Sequence, residues 1–234
     1  MILIATPARL STPRVLLNRI EGLVHSLAWS GSMEWRLHFN EQPRGVWHYE
    51  ANARARNEVL DRYLKPWHEW VLWVDVDVVE MPTNLVATLV ETSTLWRAGA
   101  WPAIVAPMVW MERVGPGPAG FQNGGWFYDT GGFIDDEGRN ADFHRGPLDE
   151  GQDVVMQSVG TVYLAPAELY RVGPDGRPGL RYEVQGDEVE HVGFMRRARG
   201  LGANVVATRR AEVVHAYLPK YGEEWHHKGA KVAV

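Results

Sequence analysis

Two acidic side chains separated by one residue, Asp75 and Asp77, interrupt an otherwise apolar run, Val71-Leu72-Trp73-Val74-Asp75-Val76-Asp77-Val78-Val79. Side chains alternate along a strand, so an extended Asp-Val-Asp places both carboxylates on one face. Burying two like charges this close together is costly unless a cation compensates them. Mn2+ or Mg2+ suits such oxygen ligands, typically taking one or two carboxylates together with substrate phosphates. A metal held there would bridge the protein to a diphosphate and neutralise charge on a departing nucleotide.

Two other readings attach to the same triplet. One is an exposed pair capping the next turn, which the bulky apolar flanks argue against. The other is the phosphatase-type D-x-D of the haloacid dehalogenase class, which belongs on a first strand, whereas this one falls on the third.

The elements that must position the triplet follow from hydrophobic periodicity. Ile2 to Ala5 reads as a short strand closed by Thr6-Pro7, and Leu16, Leu17, Ile20, Leu23, Val24 and Leu27 mark a helix from about 14 to 27. Trp35 to Phe39 alternates as a second strand. A helix is predicted over 50–64, with Ala53, Leu60 and Leu64 on one stripe and Pro66 ending it. Trp70 to Val79 is predicted as one continuous strand covered on both faces. A helix opens at Pro82-Thr83-Asn84, and Ala103 to Trp110 is a further strand.

This alternation of strand and helix implies an α/β fold with a mostly parallel central sheet flanked by helices. Ligands of such sheets bind beyond the C-terminal strand ends, where the triplet lies. Residues 115–151 are rich in Gly, Pro, Asn and Asp and read as long loops. Thr161 to Ala165 reads as a strand, Ala167 to Tyr170 as a helical turn and Glu188 to Leu201 as a helix. Val205 to Ala207 and Glu212 to Tyr217 read as separate extended segments.

The 234 residues fit one domain, with a nucleotide-binding half over about 1–110 and an acceptor- and sugar-binding half over about 111–234. A net charge of −5 argues against non-specific DNA binding as the main activity. The absence of cysteine excludes disulfides and thiolate metal sites. Eleven tryptophans offer both core packing and faces on which sugar rings stack. No apolar run is long enough to cross a bilayer, and the N-terminus is too short for a signal peptide. The expectation is a soluble, cytoplasmic protein of prokaryotic or viral origin, with no membrane insertion.

The run from Val71 to Pro82 resembles the D-x-D strand of GT-A glycosyltransferases, most of all the fungal Golgi mannan-polymerase mannosyltransferase family. Upstream, Ala53-Arg54-Ala55-Arg56-Asn57 is similar to the helix preceding that strand. Downstream, Tyr128-Asp129-Thr130-Gly131-Gly132-Phe133, Gly160-Thr161-Val162-Tyr163-Leu164, the segment Glu188 to Phe194, and Glu212-Val213-Val214-His215 recur in the family's order. The resemblance covers roughly residues 50–217 and thins before residue 50. It implies a GT-A (Rossmann-like) fold, Mn2+ or Mg2+, a nucleoside-diphosphate sugar donor, and transfer with retention, the leaving phosphate helping to deprotonate the acceptor. The acceptor stays open: glycan, protein hydroxyl, modified nucleic acid or small molecule. A non-catalytic nucleotide-sugar or glycan-binding module on the same fold is the alternative.

Further site candidates complete this reading. His215 is expected to join Asp75 and Asp77 at the metal, since imidazole is a competent manganese ligand and a C-terminal histidine often completes GT-A metal sites. Asp75, Arg56 and Asn57 are candidates for donor binding, and Asn57 lies on the apolar stripe, where a polar group needs a partner. Thr6 and Pro7 would border the nucleobase by fold analogy. The family pattern favours Glu190 as a catalytic carboxylate that lines the sugar or stabilises an oxocarbenium-like transition state. Glu190 also suits the positive end of a helix dipole. Asp129 and Asp153 either hold sugar hydroxyls or serve turns. Arg54 and the arginines over 196–199 fit solvated helix faces, and His226-His227 a solvated tail.

Overall fold

The computed structural model describes residues 1–40, 48–99, 101–112, 127, 132–141, 152–171, 179–186 and 188–217. Along these the chain forms β1 (Ile2–Arg9), α1 (Arg14–Ser26), β2 (Met33–Asn40), α2 (His48–Tyr63), β3 (Trp70–Val74), β4 (Val78–Glu80) and α3 (Leu85–Leu95). It continues as β5 (Ile104–Met111), β6 (Ile134–Asp135), β7 (Asp153–Ser158), β8 (Val162–Pro166), a 3-10 turn (Ala167–Tyr170), α4 (Glu190–Gly200) and β9 (Val205–His215).

The expected α/β architecture, a central sheet flanked by helices, is present, but the sheet is mixed and not mostly parallel. Its strand order is β2-β1-β3-β8-β5-β9-β7-β6, with β4 added to β9. Parallel pairing covers β2-β1-β3 and the β5-β9 pair, while β8 enters antiparallel between β3 and β5, and β7 runs antiparallel to β9. The crossover helices α1 and α2 allow the parallel steps. Strand β8 starts where β3 ends, with Val162 opposite Val74. That brings the loop before β8 to the end of β3, beside the aspartates.

Every residue of β5 and β8 is buried, as expected for strands covered on both faces. Leu16, Ile20 and Val24 turn the buried stripe of α1 inward at i, i+4 and i+8. The buried side of α2 combines Ala51, Ala53 and Ala55 with Val59 and Leu60, and it also carries Arg56. Helix α4 stops at Leu201-Gly202, where Gly202 takes φ 91°, a conformation that suits glycine past a helix end.

Two elements differ from the sequence expectation. The run from Trp70 to Val79 is not one strand: β3 ends at Val74, residues 75–77 turn, and β4 begins at Val78. The two segments expected at 205–207 and 212–217 are instead one strand, β9. Pro107 in β5 has no N–H to continue the ladder. After the pair Pro107↔Thr208 the register jumps to Met108↔Glu212, so Arg209, Arg210 and Ala211 bulge from β9 and break its apolar pattern. Strand β7 also escapes sequence reading. Its exposure pattern lacks clean alternation.

Candidate functional site

The Asp75-Val76-Asp77 turn is held by backbone hydrogen bonds at both ends. The Asp75 N–H donates to the Thr161 carbonyl (3.1 Å), and the Val78 N–H closes the turn on the Asp75 carbonyl (3.2 Å). The Ala216 N–H donates to the Asp77 carbonyl (2.7 Å). Sequence alternation is thus not what brings the carboxylates together. The turn does so, with β8 and β9 clamped on either side. Thr161 has φ 58°, a left-handed conformation that costs a β-branched residue about 1–2 kcal/mol. The Val162 N–H turns back to the Gly160 carbonyl at 2.6 Å. Strained backbone of this kind concentrates at functional sites, and here it presents the carbonyl that fixes Asp75.

Two arms extend from the turn. On one side, pairing of Val78 with His215 sets the imidazole beside Asp77, Nε2 to Oδ2 at 3.0 Å, while Nδ1 lies 2.8 Å from the Ala216 carbonyl. A protonated ring donates at both nitrogens. On the other side, Arg56 donates through Nη2 to Asp75 Oδ1 (3.1 Å) and through Nε to Glu190 Oε1 (3.4 Å). The guanidinium lies 5.0 Å from the ring centre of Trp73 and 5.7 and 5.6 Å from those of Tyr163 and Tyr182, within the range of cation–π attraction. A buried hydroxyl chain supports this cage. Trp73 Nε1 donates to Tyr170 Oη (2.9 Å), and the Tyr182 hydroxyl meets those of Tyr163 (2.6 Å) and Tyr170 (3.0 Å).

The two aspartates titrate in opposite directions. Burial raises the Asp75 carboxyl to about 6; Asp77 and Glu190 reinforce this, and Arg56 only partly opposes it. Burial also works to raise Asp77, but the charge and hydrogen bond of His215 reverse it and hold Asp77 below the usual carboxylate range. His215 would be lowered by burial, and Asp77 instead raises it above its ordinary value. Burial of Glu190 is likewise outweighed, by His191 and Arg56, and its carboxyl lies low.

Pro7, Ala8, Arg9, Thr12, Asn40, Asn52, Arg56, Asp75 and Asp77 are among the residues lining a cleft of about 140 Å³ at this turn. The structure therefore brings together Pro7, Arg56, Asp75 and Asp77 in one wall, with His215 buried behind Asp77. Thr6 is fully buried, and its Oγ1 accepts the Trp35 indole N–H at 3.1 Å. Asn57 spends its amide on the Tyr182 main chain, donating to the carbonyl and accepting the N–H, both at 2.9 Å. Glu190 is the first residue of α4 and lies behind Arg56, outside the cleft lining. Asp153 lies on β7 and accepts the Trp96 indole N–H (2.8 Å). Arg54 is exposed, and Arg196 pairs with Glu188. Asp129 and His226-His227 lie outside the described residues.

Sequence reasoning misses Arg9, Thr12, Asn40 and Asn52 in the cleft and Tyr163 and Tyr182 around Arg56. The cleft residues come from four elements and their loops, and no local spacing links them. Tyr163 does carry a signal, because its place one residue into a strand pairing with β3 sets it beside Trp73.

The donor set at the turn fits a divalent cation in type and charge. Two carboxylates suit Mn2+ or Mg2+, and an imidazole beside them is a ligand for Mn2+ more than for Mg2+; the Asp75 carboxyl is raised chiefly by its burial, with Asp77 adding to the rise. In this structure the three groups are arranged as an ion pair plus a neighbour, and no group of three or more His, Cys, Asp or Glu side chains among the described residues is placed around a metal position.

Comparison with known proteins follows the same residues. Residues 46–140 match the Anp1 family, a stretch that includes α2 and the Asp75 turn. The Mannan polymerase II complex ANP1 subunit of Saccharomyces cerevisiae is 27% identical over 195 residues, covering 74% of this chain and 37% of the relative. The chain thus spans little more than a third of the length of that relative. The resemblance to the mannan-polymerase family read from the ordered motifs is therefore found directly. The crystal structure of GalNAc-T7 with UDP, GalNAc and Mn2+ is similar with a TM-score of 0.48 at 11% identity, over 93% of this chain and 43% of that one. A nucleoside-diphosphate-sugar pyrophosphorylase from Vibrio cholerae gives 0.37 at 11% identity, over 93% of each chain. The curated relative is a yeast protein. It points to a eukaryotic origin and overturns the expected cytoplasmic protein of prokaryotic or viral source. No helix among the described residues is long and apolar enough to cross a membrane.

Proposed function

We propose that this chain is a glycosyltransferase that moves a sugar from a nucleoside-diphosphate sugar to an acceptor hydroxyl with retention of configuration. The observation that carries this reading is that Asp75, bonded to Arg56, and Asp77 line one cleft together with that arginine. This combination suits a diphosphate, with cationic groups positioned among carboxylates that themselves call for a cation. Asp75, Asp77 and His215 would hold Mn2+ or Mg2+, and the bound ion would neutralise charge on the diphosphate. Arg56 would meet a phosphate oxygen, and Pro7 would border the nucleobase. The bond from the anomeric carbon to the diphosphate breaks, a bond from that carbon to the acceptor oxygen forms, and the acceptor proton passes to the departing phosphate. Asp129 is retained as a candidate for sugar hydroxyls. In this reading one domain spans 1–234, with about 1–110 holding the nucleotide and about 111–234 shaping the sugar and acceptor side.

A non-catalytic nucleotide-sugar-binding module is the second reading, favoured by the relative's name as a subunit of a complex. Thermal-shift measurement with manganese and a panel of nucleotide sugars tests both. A ligand at about 100 times its dissociation constant stabilises the protein by about 2.7 kcal/mol. Metal-dependent stabilisation with slow donor hydrolysis supports the transferase; stabilisation with an intact donor supports the module. No stabilisation by any donor sinks both.

A further inference from the structure

We infer that Glu190 is a positioning residue that acts through Arg56, and that it does not touch the sugar. This inference rests on the reading of the cleft as a diphosphate site. Glu190 is 2% exposed and does not line the cleft. What its carboxylate reaches is the Nε of Arg56, at 3.4 Å, while Nη2 of the same guanidinium reaches Asp75 in the cleft wall. Among the described residues Arg56 Nη1 and Glu190 Oε2 have no hydrogen-bond partner. Contacts at Nε and Nη2 define the plane of the fork, since a guanidinium is rigid. Three aromatic rings then restrict where that plane can lie. Asp75 alone would leave the guanidinium free to swing about one contact, so the second contact from α4 is what sets its orientation. The pairing spans 134 residues of sequence and ties the first turn of α4 to the middle of α2. His191 Nδ1 lies 3.6 Å from Glu190 Oε1 and helps keep that carboxylate charged.

Two measurements test this. The first needs no ligand: the Arg56 Nε–Hε resonance in a 1H–15N spectrum, assigned by its loss in Arg56→Met. It is expected to be sharp in wild type, retained in Glu190→Gln, whose amide oxygen can still accept, and lost to solvent exchange in Glu190→Ala. A resonance unchanged in Glu190→Ala overturns the inference, whether or not any nucleotide binds.

The second is a double-mutant cycle read as affinity for GDP and UDP with manganese. Glu190→Ala is expected to weaken binding by roughly tenfold in the wild-type background, but by less than about twofold once Arg56→Met is present. Equal losses in both backgrounds mean that Glu190 contacts the ligand itself, which overturns the inference. Where Arg56→Met fails to give a native near-ultraviolet spectrum, the resonance is assigned through the Arg56 side-chain carbons of wild type, and the comparison of Glu190→Ala with Glu190→Gln decides. Failure of wild type to bind either nucleotide counts against the diphosphate reading, and the resonance still decides the role of Glu190.

Discussion

Asp75 and Asp77 are separated by one residue and belong to different local structures. Asp77 belongs to the β4–β9 side: its carbonyl is held by Ala216 and its carboxylate by His215, so the charge is satisfied and its titration is depressed. Asp75 belongs to the α2–α4 side, where it shares one arginine with a second buried carboxylate, and its titration is raised to about 6. Groups pushed apart in this way are concentrated at functional sites, although structural ion-pair networks produce them too. One arm is complete within the protein; the other is short of positive charge.

Removing Arg56 breaks the comparison most severely. Arg56→Ala leaves two carboxylates, one of them fully enclosed, without their shared cation, and a loss of about 3–5 kcal/mol is expected from such a rupture. Urea unfolding monitored by tryptophan fluorescence measures it. A loss below about 1 kcal/mol would show that the arm is held by its aromatic rings alone.

On the other arm, Asp77→Asn removes the partner of a buried histidine. We expect loss of manganese-dependent binding of GDP and UDP by calorimetry, and a fall in stability of about 2 kcal/mol. Its pH signature is specific. His215 lies above 6.5 in the folded chain, so its contribution is fully present below that pH and is lost as pH rises through the folded value. Asp77 lies below 3.8, so its contribution is present above that pH and is lost as pH falls through the folded value. Asp77→Asn should remove both slopes. Retained binding would take the triplet out of the metal site.

Asp75→Asn should act with the opposite sign. A carboxyl raised from 3.8 to about 6 binds its proton more tightly when folded, so stability falls as pH rises from about 4 to about 6, and the cost is full above that. The substitution removes this cost. With solvent screening of a side chain 32% exposed, the expected gain at pH 7 is about 1 kcal/mol, read as a raised melting temperature in ligand-free protein. A destabilised variant would mean that the bond from Arg56 outweighs the burial penalty.

How far this contrast is legible in the sequence depends on whether its cause is local. The apolar run around Asp75 announces an acidic pair at the edge of the core, where both carboxylates are half-buried, and the Glu212 to His215 segment announces a histidine on a strand. The helical stripe through Ala53 and Leu60 shows that Asn57 faces inward. Its partner, the Tyr182 main chain, lies 125 residues away, and nothing near Asn57 announces it. The turn at 75–77 is hidden for a related reason. Val76 and Val78 suit a strand, and it is the Thr161 carbonyl and the Ala216 N–H, both from elsewhere in the chain, that bend the backbone. Glu190 looks like a helix-start carboxylate, and only packing of α4 against α2 reveals that its partner is Arg56. Local periodicity therefore recovers the elements and the charged residues, while the division of labour between the arms arises from long-range contacts.

The aromatic support of the Arg56 arm supplies the finest test. Tyr182 contributes a ring to the guanidinium cage, stacks on Phe194 with ring centres 4.7 Å apart, and links the hydroxyls of Tyr163 and Tyr170. Tyr182→Phe keeps the ring and the stack and deletes only the oxygen. The Tyr170 hydroxyl still receives the Trp73 indole N–H, so one end of the chain stays occupied while Tyr163 loses its partner. A cost of about 1 kcal/mol is expected for one uncompensated buried hydroxyl, with nucleotide affinity unchanged because the cation–π contact survives. If affinity falls together with stability, the hydroxyl chain helps to set the guanidinium's position. The Arg56 arm would then extend through the aromatic core to Trp73, whereas the His215 arm closes on its own strand.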